Sequence, residues 1–597
     1  CRMPGAPCAT LAHAVQQALP GDTILLGAGQ HQVAGLDLDR SLTVLGVDVT
    51  NAILQAAASA NLATQRLLSV AAGLTVTVQR LTLQHGHAPD GVAAGSDGER
   101  GGAIFNLGHL LLADCLIQSN RSGRGADQLL PGGSGGSGGH GGAVFNQGWL
   151  VISNTLMQFN QAGDGGHAGT DSSAGPGGNG GAIYNDNDSH LHIVRSRLHG
   201  NQAGAGGSND VAGGEGGLGG AVANSSALTL IDVELDGNSA GPGGVVNEDV
   251  AGVGGSGGGL YNSGGPALIE RSTLAFNQAG AGLESGFGGG LYNEAELAVE
   301  NSTFYGNTAG GAGGGLWNGY VLTLRHCTVA SNISATAGGG LFVDPGQITT
   351  ATHVLVAGNL ANDAGPDVQG ELVGAGYVLV ADSAGLTFAG ASDLTGNQLD
   401  VVPLLLSFDW QGGFSRTLSL SGPSPGVDQG DPFFAGPPAT DQRGEPRVQG
   451  TRIDIGAWET MSSGQDRDGD GMPDDWEFIH GLDPDDPGLT NALAGPAGDP
   501  DADGQDNLSE YIALTRPDLP LDFFHISGVQ RTNAFEVSYW GVTGRLYTLH
   551  YLDEMTNTVW SQVSGQVDVP GTGSSQTLQE APVAGPRFYR VHVRLSE

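Results

Sequence analysis

Between residues 106 and 359 the alternation of apolar and polar positions restarts eight times, each time around a glycine-led string and an asparagine 14 to 16 residues after that string ends. The strings are GGAIFN, GGAVFN, GGAIYN, GGAVAN, GGGLYN twice and GGGLWN, and they give the pairs Asn106/Asn120, Asn146/Asn160, Asn185/Asn201, Asn224/Asn238, Asn262/Asn277, Asn293/Asn307 and Asn318/Asn332. An eighth, degenerate copy has Val343 before Asn359. Three residues before each second asparagine stand Ile117, Met157, Leu198, Leu235, Leu274, Phe304 and Val329; eight before stand Leu112, Ile152, Ile193, Leu230, Ile269, Val299 and Leu324. Apolar or small residues also fill the places five and ten before, which makes a strand-like period of two. A short strand of this kind cannot bury its inner face alone, whereas equivalent strands stacked from successive repeats can. The pattern therefore predicts a mainly β chain folded as a solenoid of parallel strands.

On that register the residue six before each second asparagine points outward, and the column reads Asp114, Asn154, Arg195, Asp232, Arg271, Asn301, His326. Asp232 would lie between two arginines in an exposed ion ladder worth a few tenths of a kcal/mol per contact, with coils about 4.8 Å apart. The asparagines fit turns whose stacked amides bond to the coils above and below. The connections between repeats are long early (121–140, 161–179, 202–218, 239–256) and short late (308–312, 333–337), and they hold most of the chain's 105 glycines. Such loops are either mobile or stacked on one another in an extended, polyproline-II-like form.

Ahead of the repeats, Thr10 to Leu19 reads as a short amphipathic helix that would cover the open end of the stack, where unpaired strand edges need protection. Strands follow around Leu42–Val44, Leu68–Val70, Leu74–Val78 and Leu81–Leu83. The strings GGAIFN and NSTFYGN (Asn301 to Asn307) resemble the coils of bacterial right-handed parallel β-helix proteins of the polymorphic outer membrane protein type, over roughly residues 8 to 360. That resemblance implies a right-handed parallel β-helix and an extracellular setting. Regular coils are expected over 101–360 and a closing segment over 361–460, where TDQRGEPR (Thr440 to Arg447) and DIGAWE (Asp454 to Glu459) resemble the end of extracellular β-helix proteins.

Residues 461–516 become dense in Asp and Gly, and two loops account for it. Asp466, Asp468, Asp470, Gly471, Met472, Asp474 and Glu477 occupy positions 1, 3, 5, 6, 7, 9 and 12 of an EF-hand loop, and Asp499, Asp501, Asp503, Gly504, Gln505, Asn507 and Glu510 repeat them. Ca2+ needs six or seven oxygens around one point, which this order of carboxylates, a seventh-position carbonyl and a final bidentate Glu would supply. Asp483 or Asp485 would add ligands. Helical segments are expected at Asp474 to His480 and Leu508 to Leu514, in a dockerin-like or thrombospondin type 3-like arrangement. Residues 517–597 alternate like a small β-sandwich, with strands at Phe535–Tyr539, Tyr547–Tyr551 and Phe588–Val593; Trp540, Trp560 and Tyr589 are either core rings or a sugar-stacking platform.

Charge narrows the function. The net charge is −39, from 61 acidic and 22 basic residues, and every basic residue is Arg. Nucleic acid binding is excluded on that balance, and no run of 18 apolar residues suggests a transmembrane segment. Cys115 and Cys327 occupy the same inward position about 29 Å apart and should be free thiols. Cys1 either pairs with Cys8 or is lipid-modified. A carbohydrate-cleaving enzyme would need two facing carboxylates, and Asp232, Glu234 and Glu270 are the best available; His190, His192 and His199 read as surface residues rather than a metal site. The expectation is a secreted or cell-surface structural or adhesive protein. Its expected partners are further copies of itself, assembled into an oligomer, filament or sheath through the Gly-rich loops, and cell-surface polysaccharide. A polysaccharide lyase or hydrolase is the alternative.

Overall fold

The computed structural model describes residues 8–130, 132–169, 172–209, 212–246, 249–250, 252–390, 395–460, 466–531, 533–556 and 558–596. The chain divides into two compact units, Cys1–Thr460 and Met461–Glu597.

Each regular repeat of the first unit lays down strands on two sheets. In the first, Ile104–Asn106 belongs to one sheet, and His109–Ala113 and Leu116–Gln118 belong to the other. Equivalent strands of successive repeats pair in parallel, so that among the described residues one sheet has 12 strands and the other 22. The register is the expected one: Leu112 pairs with Ile152, Ile152 with Ile193, and Ile193 with Leu230, and all four are wholly buried. The repeats are thus a mainly β, solenoid-like stack of parallel strands around one apolar core.

The inward places three, five, eight and ten before the second asparagine do not keep one period, because five to eight is a step of three. The intervening residue explains the slip. Asp114, Asn154, Arg195, Asp232, Arg271, Asn301 and His326 all have a left-handed backbone, with φ between 44 and 55°, and this kink between two strands restores the inward phase on its far side. Small polar side chains just beyond the kink are themselves satisfied: Thr155, Ser196, Ser272 and Ser302 each donate to the carbonyl two residues back.

Both asparagine columns form continuous buried ladders. Asn106, Asn146, Asn185, Asn224, Asn262 and Asn293 each donate Nδ2 to Oδ1 of the next asparagine at 2.7–2.9 Å, and Asn318 closes the column on Thr349 Oγ1. In the second column each Oδ1 accepts both the amide N–H and the side-chain Nδ2 of the preceding asparagine, from Asn120 through Asn359, and Asp367 Oδ1 ends the series.

The glycine loops are stacked, which settles the alternative left open by the sequence. Outgoing and returning arms interleave: Gly139 N donates to Gly123 O, Gly163 N to Gly139 O, Gly178 N to Gly163 O, Gly204 N to Gly178 O and Gly217 N to Gly204 O, at 2.8–3.0 Å. A second ladder runs three residues along each arm, through Gly136, Gly166, Gly175, Gly207, Gly214 and Gly244. The spacing of three is that of a polyproline-II-like chain. Residues with side chains fall on another third of positions, where they cap the next coil: Asp90 Oδ1 accepts from Arg124 N, Asp127 Oδ1 from His167 N, Asp164 Oδ1 from Ala205 N and Asn179 Oδ1 from Leu218 N.

At the N-terminal side, α1 (Leu11–Gln17) starts at Thr10, whose hydroxyl accepts from His13 N. Leu11 and Val15 join the solenoid core. Cys8 is disulfide-bonded, while Cys1 lies outside the described residues. Cys115 and Cys327 are free and buried, and burial pushes their thiols up to about 11 and about 12.

The closing segment leaves the stack part-way along its length. Strands continue both sheets as far as Gln398–Leu399, but 405–459 then turns back across the outside of the stack instead of adding coils. It begins with an antiparallel hairpin, Leu405–Asp409 with Thr417–Leu420. Gln442 bonds to Thr273 and Thr303, Arg447 to Asn301, Ala457 N to Thr328 Oγ1, and Gly456 N to His353 O. TDQRGEPR and DIGAWE are the parts of this strap that carry its buried charges: Arg443 pairs with Asp441 at 2.7 Å and stacks on Trp458. The column of kink residues is consequently not an exposed ion ladder. Among the described residues Asp232 is held by Arg271 alone, at 2.8 and 3.2 Å, and Arg195 stacks on Phe414 of the strap.

In the second unit α2 (Asp474–Ile479) and α3 (Asn507–Ala513) precede two antiparallel sheets. Ile526–Arg531, Phe535–Gly541 and Ser574–Glu580 form one; Arg545–Leu552 and Phe588–Leu595 are the main strands of the other. Val537, Tyr539, Tyr547, Leu549, Val563 and Leu578 make their shared core.

Candidate metal centres

The two acidic loops share one geometry. Ligand-type oxygens of Asp466, Asp468 and Asp470 lie within 4.8 Å of one another, and so do those of Asp499, Asp501 and Asp503. The turn is made at the sixth position, where Gly471 (φ 98°) and Gly504 (φ 94°) have a backbone that a side chain would strain. Each glycine N–H donates to the first aspartate of its loop, at 3.0 and 3.1 Å.

The aspartates at the third and fifth positions divide their oxygens between two tasks. One oxygen of Asp468, Asp470, Asp501 and Asp503 accepts a backbone N–H two residues on. The other oxygen of each is buried without a hydrogen-bond partner. Glu477 and Glu510 are wholly buried; both oxygens of Glu477 and Oε2 of Glu510 also lack partners. Burial, and then the surrounding carboxylates, push Glu477 up to about 9 and Glu510 up to about 7. An orphaned buried carboxylate oxygen costs free energy that a bound cation would offset, so the donor set fits a hard divalent ion in each loop.

Helices fix the twelfth-position glutamates. In the second loop α3 is capped by Asp506, whose carboxylate accepts from Ser509 N at 2.8 Å. In the first, Met472 turns its side chain into a small core with Trp476 and Leu482, against which Leu508 and Tyr511 pack. The ninth positions differ from the simple ligand reading. Asp474 is engaged by Arg467, whose Nε lies 2.8 Å from Oδ2 and whose backbone N–H donates to Oδ1. Asn507 ties the loop to the carbonyls of Leu493 and Gly495 through Nδ2 and keeps its Oδ1 unpartnered and buried. Nor do the extra acids join the first loop: Asp483 caps Asp485 N, and Asp485 is largely exposed beside Arg467.

Elsewhere the sequence candidates are dispersed or paired. Glu234 is 1 % exposed and is bound at 2.7 Å by Arg416, which also holds Asp236; Glu270 and Asp232 both pair with Arg271. Arg416 was not recognisable from its neighbours in sequence, lying 182 residues from Glu234. His190 stacks on Trp149, while His199 Nδ1 is 2.8 Å from Asp236. Tyr589 stacks on Phe535, Trp560 lies under Arg590, and Trp540 is exposed, so these three rings form neither one core nor one platform. Among the described residues no helix is long and apolar enough to cross a membrane. Comparison with protein-family models, with curated proteins and with solved structures finds no match.

Proposed function

We propose that this is a secreted or cell-surface structural or adhesive protein of bacterial type, a right-handed parallel β-helix with an N-terminal helical cap, a paired Ca2+-binding segment of EF-hand-like loops and a C-terminal β-sandwich. The observation that carries the structural reading is how the charges on the outer face are used. The carboxylates a hydrolase or lyase would need, Asp232, Glu234 and Glu270, are held by Arg271 and Arg416 rather than facing one another across a cleft. Two buried asparagine columns and two glycine ladders instead tie coil to coil along the stack.

For Ca2+, the residues that would hold the ion are Asp466, Asp468, Asp470, the Met472 carbonyl and Glu477 in one loop, and Asp499, Asp501, Asp503, the Gln505 carbonyl, Asn507 and Glu510 in the other. Asp474, held by Arg467, would reach the ion through a water, as ninth-position residues often do. The ion supplies charge neutralisation: at a free concentration 100 times its dissociation constant, binding stabilises the folded segment by about 2.7 kcal/mol per site. Chelation with EDTA is expected to raise the rate of proteolysis within 461–516 by roughly a hundredfold for each site whose ion the opening releases, where that opening controls cleavage, with 101–360 unaffected. The near-ultraviolet signal of Trp476 should change in parallel and return with added Ca2+. Equal cleavage with and without EDTA would reject the calcium reading.

A further inference from the structure

The strap leaves part of its own track open. At one outward strand position the register runs Leu116, Leu156, Arg197, Glu234, Thr273, Thr303, Thr328. From Thr328 to Glu234 this column is covered: Ala457, Gln442 and Arg416 bond to it in turn. Cover stops at the hairpin tip, where Trp410 and Phe414 are half exposed at 50 and 49 %. Beyond them lies a groove of about 570 Å3, floored by Leu116 and Leu156 and edged by Asp114, Asn154, Thr155 and Arg195.

We propose that this groove binds a strand of uncharged polysaccharide, a specific site that rests on the adhesive reading above. Three observations select the ligand. The groove joins aromatic faces to planar hydrogen-bonding groups, the combination that suits a sugar ring with an apolar C–H face and a hydroxyl rim. Its charges balance: Asp114 accepts from Asn154 at 2.7 Å and stays ionised, its carboxyl held below the usual range by that bond. Arg195, beyond Asn154 in the same column, stacks on Phe414 at 4.7 Å and has no carboxylate partner among the described residues, unlike Arg197, Arg271 and Arg416. A polyanion would meet Asp114 within a chain of net charge −39. Finally, the floor offers no strand edge. Leu116–Gln118 and Leu156–Gln158 are each paired on both sides, so an added peptide strand would find no backbone groups to bond. Along the stack the groove is bounded by Trp410 and Phe414 on one side and by Val49 and Thr50 on the other, where Val49 O accepts from Thr82 Oγ1 beside Leu116, so it takes a short stretch of chain.

The test is affinity electrophoresis of the full chain, with Ca2+ present, through native gels cast with soluble uncharged glucan, xylan, mannan or galactomannan. Retardation in at least one gel is expected, weakened about tenfold or more in apparent affinity by Trp410→Ala and by Arg195→Ala. Both side chains are exposed, so unchanged melting of the variants shows that the fold is intact; Phe414→Leu, which keeps the apolar packing and loses the ring, serves if Trp410→Ala melts early. Retardation that these variants leave intact, or that only Trp540→Ala removes, overturns the groove and leaves the adhesive reading standing. No retardation in any gel overturns both the groove and polysaccharide adhesion.

Discussion

Gly163→Val is expected to unravel the glycine bundle around residues 121–178 while leaving the strands of the same coils paired. A Cβ at Gly163 would meet Gly123 O at 1.9 Å and Gly139 N at 2.7 Å. Those two atoms are already bonded to each other at 2.8 Å. Neither belongs to a flexible side chain, so relief requires parting two arms of the bundle. The lost ladder bond leaves a buried N–H and C=O, costing about 1–3 kcal/mol, with overpacking adding about 1–3 kcal/mol more. Because stacked repeats respond locally, hydrogen exchange should rise steeply across 121–139 and 161–178 and little at 150–158. Gly422, with nothing within 4 Å of a built Cβ and no positive φ, provides the control: Gly422→Ala should be near neutral. Exchange in the bundle unchanged by Gly163→Val would mean that the loops are not packed as described.

Asn201→Ala should be still more costly, because one amide serves four bonds. Its Oδ1 accepts from Asn160 N and Asn160 Nδ2, and its Nδ2 donates to Asn238 Oδ1 and to Met157 O. Alanine breaks all four buried bonds and leaves Asn160 N without its acceptor, while Asn160 Nδ2 keeps Ile117 O and Asn238 Oδ1 keeps the backbone N–H of residue 201. Allowing for partial relaxation, the loss is about 3–5 kcal/mol. Asn201→Asp keeps the acceptor and, at pH values where the carboxyl is neutral, one O–H donor in place of two N–H donors, so there it should fall between alanine and wild type. Denaturant unfolding followed by far-ultraviolet circular dichroism measures the difference, and a shift of under about 1 kcal/mol for Asn201→Ala would show that the ladder does not carry stability.

The stacking was legible in the sequence because each coil must present the same inward set, and Leu112, Ile152, Ile193 and Leu230 announce it at fixed distance from an asparagine. What the alternation alone concealed was the phase slip. A step of three between inward residues looks like noise until Asp114 and its equivalents are seen with left-handed backbones. Order in the glycine loops was also written there, in the recurrence of Asp, Asn, Ser and His at every third place, for instance Asp164 and His167, or Ser134, Ser137 and His140. Those side chains cap backbone groups on the next coil, which a mobile loop would not need. The strap was not legible. Residues 405–459 repeat nothing, and the bonds of Arg416, Gln442 and Arg447 reach across more than 130 positions of chain. In the acidic loops spacing located the carboxylates, but it could not tell that Asp474 would be taken by Arg467.

The central claim is that equivalent residues of successive coils lie side by side in parallel register. His192 and Thr229 are paired, outward-facing partners on neighbouring strands, at a separation a disulfide can bridge. Oxidation of the His192→Cys, Thr229→Cys double variant should form that bond intramolecularly at dilute concentration, while His192→Cys with Ile231→Cys, two places out of register, should not. Equal cross-linking of both pairs, or of the second pair alone, would contradict the stacked arrangement.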